Sequence, residues 1–111
     1  MTSYVRGSDN FDSSAAAATF GFGQTWQNMT SARAASTDYT NNTSRPIQVA
    51  VTCPAAGSAG SLDLYVSGVV ISRFNNANTS AVGTVSAVVP VGATYKIVLG
   101  AGAIAFWMEL R

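Results

Sequence analysis

From Ile47 to Cys53 the chain alternates without a break: Ile47, Val49, Val51 and Cys53 share one parity, and Gln48, Ala50 and Thr52 share the other. A period of two is the spacing of side chains on one face of a strand, so this segment predicts a half-buried strand. Arg45-Pro46 opens it, where the missing proline N–H does little harm, and Cys53-Pro54 closes it. The arrangement recurs along the chain. Leu62, Leu64 and Val66 alternate against Asp63 and Tyr65, Ser67-Gly68 is a hairpin signal, and residues 69–74 return. Residues 82–89 form a long β-branched run, Pro90-Val91-Gly92-Ala93 a turn, and residues 94–99 a further strand. Gly100-Ala101-Gly102 turns the chain into residues 103–110, with Ile104, Phe106, Met108 and Leu110 on one face and Ala105, Trp107 and Glu109 on the other. Upstream, residues 24–29 and 36–40 read as two shorter strands separated by Thr30-Ser31-Ala32-Arg33-Ala34. About seven or eight strands at spacings of roughly 8–12 residues predict an all-β fold, an antiparallel β-sandwich or jelly roll. No internal repeat points to a propeller or a solenoid.

Residues 1–20 differ from this block. Arg6-Gly7-Ser8-Asp9-Asn10 is turn chemistry, and Asp12 or Ser13 would cap a short Ala15–Ala18 helix that is marginal by itself. The expected division is an N-terminal arm or stem remnant over 1–20 and a sandwich over 21–111. Met1 to Arg6 has no apolar core of a signal peptide, and every apolar run falls short of the ~20 residues of a membrane span. The expectation is synthesis in a cytoplasm without membrane insertion.

The side chains that handle protons are scarce. The 111 residues contain no histidine and one cysteine, which removes most metal sites, acid–base machinery and any disulfide within the chain. Five carboxylates remain, Asp9, Asp12, Asp38, Asp63 and Glu109, and nothing in their spacing pairs two of them as a glycosidase requires. They read as solvated turn and strand residues. No serine sits in a Gly-x-Ser-x-Gly elbow; Ser58 is one residue short of that spacing. Gly21-Phe22-Gly23 lacks the rest of a phosphate loop and reads as a sharp entry turn. Cys53 reads as a core residue. The sequons at Asn28, Asn41, Asn42 and Asn78 are what chance supplies in a chain rich in Asn, Ser and Thr. With a net charge of +1 and its six basic residues scattered singly, the chain has no electrostatic footprint for nucleic acid. The expectation is a protein without catalytic residues, metal or cofactor.

The order of several motifs resembles a known family. Gly23-Gln24-Thr25-Trp26-Gln27-Asn28-Met29-Thr30, then Ser31-Ala32-Arg33-Ala34, Tyr39-Thr40-Asn41-Asn42-Thr43 and Arg45-Pro46-Ile47-Gln48-Val49 carry the first part of the likeness. Pro90-Val91-Gly92-Ala93-Thr94-Tyr95 and Phe106-Trp107-Met108-Glu109-Leu110-Arg111 carry the rest. Together they are similar to the C-terminal domain of tail-fibre proteins of tailed bacteriophages and prophages. The resemblance implies a compact β-sandwich, often trimeric, at the distal end of a fibre in the virion. It also implies a role in adhesion to the bacterial surface or in capping the fibre, beside other tail proteins. It identifies no receptor.

Two sets of residues follow as candidates. Asn75, Asn76, Asn78 and Thr79, in the most polar loop, together with Tyr39, are the candidate contacts to a surface glycan or lipopolysaccharide. Residues 82–91 and 103–110 carry apolar or small side chains on both parities, more than a two-layer monomer can bury. A neighbouring chain in a homotrimer would cover the second face, with Val89, Val91, Trp107 and Trp26 at the subunit interface. The rival expectation is a purely structural component that caps or trimerises a fibre or joins two tail parts. A depolymerase fragment is a third, and it would need carboxylates from neighbouring chains to meet.

Overall fold

The computed structural model describes residues 20–53, 60–76, 82–100 and 102–111, the side chain of Asn76 excepted. The expected arm therefore lies outside the described residues up to residue 19, as do Asp9, Asp12, Ser58, Asn78 and Thr79. Eight strands are described: β1 (Trp26–Asn28), β2 (Tyr39–Thr40), β3 (Ile47–Cys53), β4 (Gly60–Val66), β5 (Val69–Asn76), β6 (Gly83–Val89), β7 (Thr94–Leu99) and β8 (Phe106–Leu110). A 3-10 turn at Thr30–Ala32 follows β1.

The strands form two antiparallel four-stranded sheets, in the orders β1-β8-β3-β6 and β2-β7-β4-β5. The order has a simple rule. β4 pairs with β5, β3 with β6, β2 with β7 and β1 with β8. One long hairpin, folded at the β4–β5 turn, has been wound up on itself; β8 then meets β3, and β7 meets β4, to close the sheets. This is the strand order of a jelly roll; the all-β sandwich and its strand count are as the sequence predicts, and the order is the structure's own addition.

The central hairpin is closed by Ser67 and Gly68, both at positive φ (53° and 79°). That conformation defines a two-residue type I′ turn, whose twist suits the flanking strands. One register shift follows in the same hairpin: Leu64 faces Ser72 but Tyr65 faces Val70. Ile71 is the extra residue of this bulge, which explains why an isoleucine is 54% exposed.

Between the sheets lie Ile47, Val49, Val51, Cys53, Val85, Ala87, Val89 and Trp107 of the first and Leu62, Leu64, Val66, Tyr95 and Ile97 of the second. The alternation of β3 is realised in full, and Cys53 is in the core. Each of these large side chains contributes roughly 1.5–3 kcal/mol by leaving water.

β8 departs from expectation. Its more apolar parity, Phe106, Met108 and Leu110, faces outward, and Trp107 with Glu109 faces the core. Trp107 and Val89 are wholly enclosed within the single chain, so neither is available to a neighbouring subunit while the sandwich is intact. The carboxylates are also corrected. Asp38 is exposed, but Asp63 and Glu109 are buried.

Candidate functional site

The inward turn of Glu109 is made tolerable by an unusually complete set of donors. Arg33 donates from Nε to Oε2 (3.0 Å) and from its Nη2 to Oε1 (3.2 Å), and Arg111 donates to Oε1 at 2.6 Å. The Tyr95 hydroxyl (3.0 Å) and the Trp107 indole N–H (2.9 Å) both donate to Oε2. Burial alone would raise this carboxyl, but the bonds from Arg33 and Arg111, the Arg33 charge and the indole bond outweigh it, and the group sits below its ordinary value. Tyr95 is shifted upward, first by burial and then by the adjacent Glu109 charge, and stays protonated.

Local structure delivers Arg33 to this point. Asn28 Oδ1 accepts from the backbone N–H and hydroxyl of Thr30, and Thr30 Oγ1 accepts from the Trp107 N–H (3.0 Å). The 3-10 turn is thus pinned across β8, and Arg33 follows it. Tyr39 then covers the assembly: its ring is 4.7 Å from the Arg33 guanidinium and edge-on to Trp107 at 5.7 Å. Its hydroxyl accepts from the Ala34 N–H. Tyr39, an expected glycan contact, is half-buried and packs against the core cluster. A carboxylate with five donors and no contact with water has no lone pair available to take up a substrate's proton. The cluster ties both sheets to the β1–β2 connection.

A second buried polar group locks the opposite connection. The Asn41 side-chain N–H₂ donates to the carbonyls of Arg45 (3.0 Å), Val89 (3.0 Å) and Pro90 (3.3 Å), while its Oδ1 accepts from the N–H and hydroxyl of Thr43. The amide of this sequon is consumed by the fold.

The two outer faces differ in chemistry. On the first sheet, Trp26 faces Leu110, Leu110 faces Gln48 and Gln48 faces Val88. The next row is Asn28, Met108, Ala50 and Ser86, and the third is Phe106, Thr52 and Thr84. None of these residues is charged. Trp26, Val88 and Phe106 are 50%, 49% and 57% exposed. With strands ~4.8 Å apart and ~3.4 Å per residue, the face measures roughly 20 by 20 Å, about 400 Å². Trp26, Val88 and Phe106 stand on this face among the uncharged polar side chains of Asn28, Gln48, Thr52, Thr84 and Ser86. The second sheet carries the charges: Asp63 in a two-pronged pair with Arg73 (2.8 and 3.0 Å), and Lys96 beside Tyr65.

Of the expected interface residues, Trp26 lies on the neutral face, and Val91 is 53% exposed in the β6–β7 turn. Of the expected ligand contacts, Asn75 is exposed within β5, Asn76 ends that strand, and Asn78 and Thr79 fall outside the described residues. Sequence reasoning missed Arg33, Glu109 and Asn41. A glutamate on the same parity as a tryptophan, in a strand that is otherwise apolar, was the available signal for the first two.

No protein-family model matches the chain, and no curated protein matches it either.

Proposed function

We propose that this chain is a non-catalytic end domain of a bacteriophage or prophage tail fibre, trimerising through the outer face of its first sheet and supporting adhesion to the bacterial surface. The observation that carries the reading is the uncharged face built from Trp26, Leu110, Val88, Met108 and Phe106. Charge depletion with exposed aromatic side chains is the composition of an interface core. About 400 Å² per chain is half the ~800 Å² per partner of a standard complex, so Val91 and the sheet edges must add contact. The motif resemblance to tail-fibre C-terminal domains supplies the biological setting. The saturation of Glu109 and the pairing of Asp63 with Arg73 argue for a role without chemistry.

Sedimentation velocity of the purified chain tests the assembly. A trimer at micromolar concentration is expected, and Phe106→Lys with Val88→Lys should give a folded monomer. A monomeric parent chain refutes the trimer. Competition of the parent chain with phage adsorption tests adhesion. If trimers form and adsorption is unaffected, the purely structural reading takes its place, as a cap or joint of the fibre; the neutral face favours that reading equally.

A further inference from the structure

On the side of the sandwich away from the neutral face, the second sheet holds a depression of about 320 Å³ lined by Asp38, Tyr65, Gly68, Thr94, Tyr95 and Lys96. Its origin is local. β2 pairs over two residues only, so Asp38 leaves the sheet beside β7. The type I′ turn places Gly68 at the rim, where an added Cβ would meet nothing within 4 Å, and Tyr95 turns its ring into the core and gives the pocket its backbone side. Tyr65 and Lys96 are cross-strand partners, and the Lys96 ammonium sits 5.3 Å from the Tyr65 ring centroid. No ion pair joins Asp38 to Lys96 among the described residues.

We infer that this depression binds a single neutral sugar residue, such as the terminal hexose of a surface glycan. The lining supplies what a pyranose needs. The carboxylate of Asp38 accepts hydrogen bonds from hydroxyls, the ammonium of Lys96 and the hydroxyl of Thr94 donate to hydroxyl or ring oxygens, and the Tyr65 ring gives an apolar wall for C–H groups. Other ligand classes fit worse. An apolar molecule would strip water from a carboxylate and an ammonium without replacing it. Phosphate would meet the Asp38 charge, and a metal cation the Lys96 charge. The volume lies at the bottom of the ~300–1,000 Å³ range of small-molecule sites, which suits one sugar ring and no more. Covering the first sheet in an assembly leaves this side open.

The adhesion reading supplies the biological source of the sugar; the binding stands or falls without it. The test is an amide-resolved NMR titration of the whole chain with D-glucose, D-galactose, D-mannose and N-acetyl-D-glucosamine, each to about 50 mM, since one small site without avidity binds at roughly millimolar strength. Inorganic phosphate is the control. The expected result is a saturable shift of the Asp38, Gly68, Thr94 and Lys96 amides by at least one sugar. Asp38→Ala and Tyr65→Ala should each weaken it about tenfold, one such factor being ~1.4 kcal/mol. Phe106→Lys, which targets assembly, should leave it unchanged. Absence of shifts with all four sugars overturns the inference, as does a response to phosphate alone or an Asp38→Ala chain that binds like the parent. A sugar-binding chain that does not trimerise sinks the assembly proposal and leaves this one standing.

Discussion

Replacing Glu109 by glutamine keeps the volume and removes the charge at the point where β7, β8 and the β1–β2 connection meet. The carboxylate accepts from Arg33 twice and from Arg111, Tyr95 and Trp107 once each. A glutamine oxygen can serve the three donors now on Oε2, which turns its N–H₂ toward the guanidinium groups of Arg33 and Arg111. Two donors then confront donors, and two arginines lose their counter-charge. Breaking a fully buried pair costs about 3–5 kcal/mol. Arg33 and Arg111 keep 14% and 18% of their side-chain surface in water and can rehydrate in part, so the expected loss is about 3 kcal/mol. Urea unfolding followed by tryptophan fluorescence is the assay, because Trp107 is enclosed and bonded to Glu109. At a slope of about 1.5 kcal/mol/M the midpoint should fall by roughly 2 M at fixed protein concentration. The pH dependence identifies the cause. The folded carboxyl lies below its unfolded value of ~4.3, so its stabilisation is complete above that value and fades as pH falls through the folded one. The gap between parent and variant should be level from about pH 5 to 8 and narrow below about pH 4. A gap under about 0.5 kcal/mol at neutral pH, or one that does not narrow in acid, would refute the claim that the ionised carboxylate holds this end of the sandwich together.

Three further outcomes are expected. Asn41→Ala takes the side-chain partner from the Val89 carbonyl and the Thr43 N–H, while the Arg45 carbonyl keeps the Thr43 hydroxyl, and thermal melting should show a loss of about 2 kcal/mol. Gly83→Ala drives a methyl group into the Phe74 ring and should cost about 2 kcal/mol; pairing it with Phe74→Leu should recover part of that, and purely additive losses in a double-mutant cycle would count against the contact. Gly68→Ala forces a Cβ into a left-handed turn position and should cost about 1 kcal/mol, while Ser67→Asn, better suited to positive φ, should leave the unfolding midpoint equal or higher.

Much of the architecture is legible in local pattern. β3 and β7 fall where alternation and turn residues place them, and Ser67-Gly68 closes the expected hairpin, because period, proline and glycine act over a few residues. β8 shows where local pattern stops. Counting apolar side chains selects Phe106, Met108 and Leu110 as the core parity, yet the chain buries Trp107 and Glu109. The choice is settled by Arg33, far upstream, which neutralises the glutamate and frees the apolar parity for the outside. Partners that distant are invisible to a window of ten residues. Asn41 escaped for the same reason: its acceptors Val89 and Pro90 arrive from the end of β6 and the residue after it. The candidate interface was legible as a strand apolar on both parities, with the inner and outer members exchanged. The residues of the proposed sugar site come from separate segments and carry no common motif.

The wound hairpin also has a consequence in time. Each strand pair brackets the one inside it, from β4–β5 at the centre to β1–β8 at the rim. Joining β1 to β8 in an unfolded chain means closing about three-quarters of the polymer as one loop, whereas joining them after β2 and β7 have met closes only the short remainder. The Ser67-Gly68 turn is then the place where assembly starts, and Gly68→Ala should retard refolding in stopped-flow far more than it hastens unfolding.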